Sequence, residues 1–200
     1  DGVSTRLPER SPRRVTLAIG PEKEPMISPS GHEIAYVSEV GGNDQIFVID
    51  ARGGKPLQIT HGKGSKSSPA WFPDGSAVAF EMERGGNPDV WKVSRFGGSA
   101  TAVIADAQDP AVSPDGARIA FTRAVDSSWT RVFVAQIDRG GEARQLSFDG
   151  HGRWHHHDPA FSPDGRSLCY SDERDLWIVD VNDGEPRPLV LDDATDMHPA

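Results

Sequence analysis

The 200-residue chain contains one cysteine, two tyrosines and three methionines, and nowhere the run of about 18 apolar residues that a membrane-spanning helix needs. Cys169 alone excludes an intrachain disulfide framework. The opening stretch DGVSTRLPERSPRR lacks the apolar core of a signal peptide, so the expectation is a cytoplasmic chain or one whose leader has been removed. Positive charge is also scarce, with 21 Lys and Arg against 30 Asp and Glu and a net charge of -9. Nucleic-acid binding draws much of its affinity from clustered basic side chains, so that partner class is set aside. Two catalytic signatures are missing as well. No Gly-x-Ser-x-Gly elbow is present to raise a nucleophilic serine, and no Gly-x-x-x-x-Gly-Lys-Ser/Thr loop to cradle a phosphate. The expectation is a chain without an active site of its own.

Glycine (21) and proline (16) are plentiful, and they recur in order. PAWFPDG at 69 to 75 returns as PAVSPDG at 110 to 116 and PAFSPDG at 159 to 165, with a looser copy, PMISPSG, at 25 to 31. The opening prolines Pro25, Pro69, Pro110, Pro159 and Pro199 fall about 43 residues apart, the spacing of four-stranded propeller blades that cover one another's apolar faces. Helical repeats of similar length do not fit a chain punctuated by Gly and Pro every ten residues or so.

Each unit lays out in columns. The Pro-Asp-Gly corner sets a tight turn: proline fixes one torsion, the Asp carboxylate accepts local backbone N–H groups, and glycine relieves the exit. Recurrence at every corner makes Asp74, Asp115 and Asp164 turn residues rather than catalytic ones. The next strand places Ile34, Val78, Ile119 and Leu168 in one column and Tyr36, Phe80, Phe121 and Tyr170 two residues on, both on one face. Between them lie Ala35, Ala79, Ala120 and Cys169, which makes the cysteine a small packed residue. A third strand aligns Phe47, Trp91, Phe133 and Trp177 as inter-blade core, and Gly54, Gly98, Gly141 and Gly184 lead to a fourth around Leu57, Ala102, Leu146 and Leu189. The fold class expected is all-β: a β-propeller of four-stranded antiparallel blades. Blades run 25–68, 69–109, 110–158 and 159–198, preceded by 1–24 with an orphan outer strand at 13–19 and followed by a start at 199–200.

These motifs resemble the TolB-like, WD-repeat-like propeller family, whose blades read close to P-x-aromatic-S-P-D-G-x-x-I-A-F, then D-I-aromatic-V and G-G…L-T. Three departures stand out: Ser30 for the first turn Asp, Phe72 for Ser in the second blade, and extra residues around AVDSSWTR in the third. The resemblance implies a ring that is often six-bladed, the 200 residues holding four nearly complete blades, with the N-terminal strand closing a blade. It also favours a periplasmic or other extracytoplasmic compartment, with a cytoplasmic one still open.

In this topology the loops from fourth to first strands meet those between second and third strands at one channel end, opposite the Pro-Asp-Gly corners. The longest such loop, FDGHGRWHHHD at 148 to 158, carries four of the seven histidines. Arg153, Trp154, His155, His156, His157 and Asp158 are its candidate binding residues, with His61 and His198 from other loops. If that stretch is an extended strand, His155 and His157 point the same way and offer two imidazoles to a divalent cation, with His61, His198 and Asp109 from other channel loops as candidate further ligands. No cofactor is otherwise expected. The function expected is a non-catalytic binding module offering its channel end to a protein or a small polar ligand. Two alternatives stand beside it: the accessory gate of a serine peptidase resembling prolyl oligopeptidase, and the sensor domain of a signalling protein.

Overall fold

A computed structural model describes residues 12–16, 20–83, 85–125, 129–138, 142–148, 155–172, 174–182 and 184–189. Among them are sixteen strands and no helix, arranged as four antiparallel sheets in sequence order. The first blade comprises β1 (Glu22–Ile27), β2 (Glu33–Val40), β3 (Asn43–Asp50) and β4 (Leu57–Gln58). The second comprises β5 (Lys66–Trp71), β6 (Ala77–Met82), β7 (Asp89–Ser94) and β8 (Thr101–Ile104). The third contains β9 (Gln108–Val112), β10 (Arg118–Ala124), β11 (Thr130–Gln136) and β12 (Arg144–Gln145). The fourth contains β13 (His157–Phe161), β14 (Ser167–Ser171), β15 (Leu176–Asp180) and β16 (Arg187–Pro188).

The corners form as the turn chemistry dictates. Asp74, Asp115 and Asp164 accept the backbone N–H two residues on, from Ser76 at 2.9 Å, Ala117 at 3.0 Å and Arg166 at 3.0 Å. The following glycines, Gly75, Gly116 and Gly165, take φ near +70°, a region that disfavours a side chain. Where Ser30 replaces the aspartate, its hydroxyl reaches the His32 N–H only at 3.4 Å. Where Phe72 replaces the serine, its ring lies under the Lys92 ammonium at 3.9 Å.

The core is three seams rather than one. Ala35, Val37, Ile46 and Val48 of the first blade meet Val78, Phe80 and Trp71 of the second. Ala79 and Val90 of the second meet Ile119 and Phe121 of the third, and Ala120, Val132 and Val134 of the third meet Leu168, Tyr170 and Trp177 of the fourth. Each blade thus turns its large columns toward the preceding blade and its alanine column toward the following one. Polar bonds pin the same seams: Trp71 Nε1 donates to the Met26 carbonyl at 2.9 Å, Arg118 Nη2 donates to the Gly165 carbonyl at 2.9 Å, and Arg95 pairs with Glu33.

Three features of the strands go beyond the sequence columns. The first strand of every blade runs through its proline instead of starting after it, because residues before the proline still pair with the second strand. In the fourth strands the packing position of the first blade is Ile59, fully buried, and not Leu57, which is 45% exposed. Ile59 N–H bonds the Ile46 carbonyl as Leu146 N–H bonds that of Val132; a two-residue strand is too short for alternation to fix its face. Residues 12–16 form no strand. They lie along the first blade, where Arg13 donates to the Ala51 carbonyl at 3.3 Å and Thr16 bonds Glu22. The rest of the expected 13–19 strand, and residues 199–200, lie outside the described residues.

Since Phe121 is fully buried in the middle seam, Phe121→Ala is expected to cost about 3–5 kcal/mol in urea denaturation. A loss below about 1 kcal/mol would mean that the seams do not carry the fold.

Candidate functional site: an acidic funnel at the channel axis

The first strands converge at the axis, and each carries a bulge at the same place. Pairing slips between Lys23 and Met26, between Ser67 and Ala70, between Ala120 and Thr122 opposite the third-blade bulge, and between His157 and Ala160. The residue before each proline, Glu24, Ser68, Asp109 and Asp158, sits at φ of 50 to 52°. That region is sparsely populated for any residue with a Cβ, and each instance costs on the order of 1–3 kcal/mol. A bulge re-aims the side chain it carries. These four positions, with their prolines and Met26, line one funnel of about 290 Å³.

The polar groups of the funnel are linked around its wall. Ser68 N–H donates to Glu24 Oε2 at 2.6 Å, and Asp109 Oδ2 accepts from Thr122 Oγ1 at 2.9 Å. Asp109 N–H reaches Glu81 Oε2 at 3.4 Å, and His157 Nδ1 lies 3.0 Å from Asp158 Oδ2. Burial, reinforced by the Asp109 carboxylate, pushes Glu81 up to about 7. Burial also raises Asp109, partly countered by its bond from Thr122. Ionisation is therefore disfavoured both at Asp109 in the wall and at Glu81 beside it.

The histidine run divides among three surroundings. The strand begins only at His157, so the alternation expected across 155 to 157 does not start before it. His155 is exposed, its ring 5.5 Å from Trp129 and its Nδ1 3.4 Å from Thr130 Oγ1. His156 turns inward, 5% exposed, and stacks on Tyr170 at 5.2 Å with its Nδ1 unpartnered. Burial, and next the Arg131 charge, pull His156 down to about 4, leaving a neutral imidazole. Of the run, Asp158 lines the funnel, and His157 stands beside it through the contact between its Nδ1 and the Asp158 carboxylate. His61 lines a separate cleft with Met82 and Glu83. Arg153, Trp154 and His198 lie outside the described residues. Among the described residues no three His, Cys, Asp or Glu side chains gather to ligate one ion. Glu24 and Ser68 fall within 20 to 24 and 61 to 68, two of the loops expected at this channel end, but they are not singled out in the sequence, although the column before each proline, reading Glu, Ser, Asp, Asp, was there to be read.

Four face-packed, four-stranded blades around a polar axial funnel define a β-propeller whose inner rim is built from repeated pre-proline positions. The model of the TolB beta propeller domain matches residues 6–176, and the chain belongs to that family. Its fold is similar to TolB from Acinetobacter baumannii, with a TM-score of 0.73 and 23% identity over 86% of this chain and 44% of that one. A TolB-type structure from Agrobacterium tumefaciens gives 0.70 and 20% over 82% and 63%. A puromycin-hydrolyzing peptidase of Mycobacterium tuberculosis gives 0.69 and 17% over 88% and 29%. The chain thus spans less than two thirds of each of these proteins. No curated protein sequence matches it significantly.

Two pH effects follow. Glu81 holds its proton more tightly folded than unfolded, so it contributes stability at acid pH that is lost as pH rises from the ordinary carboxylate range through about 7. Thermal melts of Glu81→Gln should exceed the wild type at alkaline pH and converge with it at acid pH; parallel curves would refute the assignment. His156 acts in the opposite sense, its contribution falling as pH drops from 6.5 toward about 4. His156→Phe, which keeps the stack on Tyr170, is expected to flatten that acid limb, and an unchanged acid limb would contradict the burial argument.

Proposed function

We propose that the chain forms the binding face of a non-catalytic propeller in an extracytoplasmic compartment, and that its axial funnel receives a cationic group of a protein partner or small polar ligand. The observation that carries this reading is the four-fold pre-proline bulge, which aims Glu24, Ser68, Asp109 and Asp158 at one cavity. Strained backbone repeated at the axis, and not elsewhere along the first strands, is the pattern of a wall built to present side chains. Carboxylates crowded there repel one another, and a bound cation relieves that repulsion. Among the described residues no helix is long and apolar enough to cross a membrane. A propeller that gates a hydrolase domain differs in one respect: its funnel must admit a ligand without holding it.

The test is an amide-resolved NMR titration with the tripeptide Gly-Arg-Gly, with Gly-Glu-Gly as the control. Saturable shifts at Glu24, Ser68, Asp109 and Asp158 are expected for the cationic peptide only, weakened about tenfold in the Asp109→Asn, Asp158→Asn double variant. Equal responses to both peptides, or none at the funnel, would sink the holding role and leave the gate.

A further inference from the structure

Away from the funnel, the loop HGKGS at 61 to 65 closes around the side chain of Lys66, which is 1% exposed. Its Nζ lies 3.3 Å from the His61 carbonyl, 3.1 Å from that of Gly62, 3.2 Å from that of Lys63 and 2.7 Å from that of Gly64. Four carbonyls crowd three N–H donors, so at least one donor is shared. Turning successive carbonyls inward requires left-handed backbone at alternate residues, and Gly62 and Gly64 supply it at φ of 85° and 82°.

That inward crown fixes the other side of the loop. No peptide bond among the described residues is cis, and in a planar trans peptide the N–H points opposite to the carbonyl. With the carbonyls of residues 61 to 64 on the ammonium, the N–H groups of residues 62 to 65 face away from it. Gly64 N–H confirms the direction by donating to Asn43 Oδ1 at 3.0 Å. The N–H groups of Gly62, Lys63 and Ser65 donate to no protein acceptor among the described residues. The loop therefore turns the positive ends of its peptide dipoles outward, with a buried ammonium behind them and the exposed Lys63 and His61 beside them. It forms one wall of a cleft of about 600 Å³, in which Glu83 is the single carboxylate among the described lining residues. In a chain of net charge -9, this is a local reversal of sign.

We propose that this cleft is an oxyanion site, with the N–H groups of Gly62, Lys63 and Ser65 as donors, the Lys63 ammonium as counter-charge, and Lys66 as the positioning residue that holds the loop in donor-outward form. The ligand chemistry is a carboxylate or phosphate group on a small molecule. The site stands independently of the cation reading of the funnel, and the two are read from different amides.

The experiment is an amide-resolved NMR titration of the chain with inorganic phosphate and, separately, with acetate. Saturable shifts at Gly62, Lys63 and Ser65 with a Kd of about 1 mM are expected for at least one anion; phosphate alone points to a phosphoryl ligand, and acetate alone to a carboxylate. Lys63→Met, at an exposed position where folding is unaffected, should weaken binding about tenfold. Lys66→Met should abolish the shifts while the melting transition stays cooperative, and if that variant does not fold, Lys63→Met decides alone. No saturable shift with either anion, or a Lys63→Met variant that binds as the wild type does, would overturn the site.

Discussion

The two faces of each blade differ in size, and the rest of the molecule depends on that difference. Large side chains such as Phe80 and Phe121 point toward the preceding blade, and the small column of Ala35, Ala79 and Ala120 receives them on the following side. A four-stranded sheet with two apolar faces cannot bury either by itself, so each blade is stable only against its neighbours. Large against small lets adjoining sheets approach closely and leaves no choice of stacking order. Where one side has no neighbouring blade among the described residues, the exposure shows it: Leu176 of the fourth blade is 47% exposed at the position where Ile46 of the first is fully buried.

Stacking in this way forces the first strands together at the axis, and the bulges answer that crowding. A regular strand would send alternate side chains into its neighbours across the channel; the left-handed residue before each proline instead re-aims one polar side chain into open space. The four strained residues together cost several kcal/mol by the usual scale of about 1–3 kcal/mol each. Only a rigid surround maintains such a conformation, which is why the strain depends on the seams. The same geometry sets the electrostatics, because the Glu81 carboxylate from β6 of one blade reaches the backbone of Asp109 in β9 of the next. Their mutual repulsion is built by the packing and not by sequence proximity.

Much of the scaffold was legible in the residues alone. The second and third strands are five to eight residues long, enough for period two to separate Tyr36 and Ile34 from Ala35 without ambiguity. The corners announced themselves through turn chemistry that has few alternatives. Three of the fourth strands did not, since two paired residues give alternation nothing to act on. The funnel was half legible: Asp158 stands out as a candidate binding residue and Asp109 as a candidate metal ligand, but their common role with Glu24 and Ser68 rests on the sign of a backbone torsion. Lys66 was hidden for a different reason. In HGKGSK it reads as a solvated basic stretch, and nothing local says that one of the two lysines folds back under its own loop.

Repetition itself explains where function-bearing information lies. Residues that recur in every blade, such as the corner glycines and the alanine column, serve the packing and carry no distinction between one blade and another. Chemistry enters where the copies differ at a fixed geometric station. The pre-proline station is occupied by Glu, Ser, Asp and Asp in turn, so a symmetric frame gives an asymmetric funnel with its charge weighted toward the third and fourth blades. The loop entering the second blade departs further, replacing an exposed polar turn by a crown around Lys66. Both departures lie in the connections and first strands, which the seams hold in place without specifying their side chains. A fold of this kind therefore leaves its binding chemistry free to vary at little cost to stability, provided that the face-packing columns are kept.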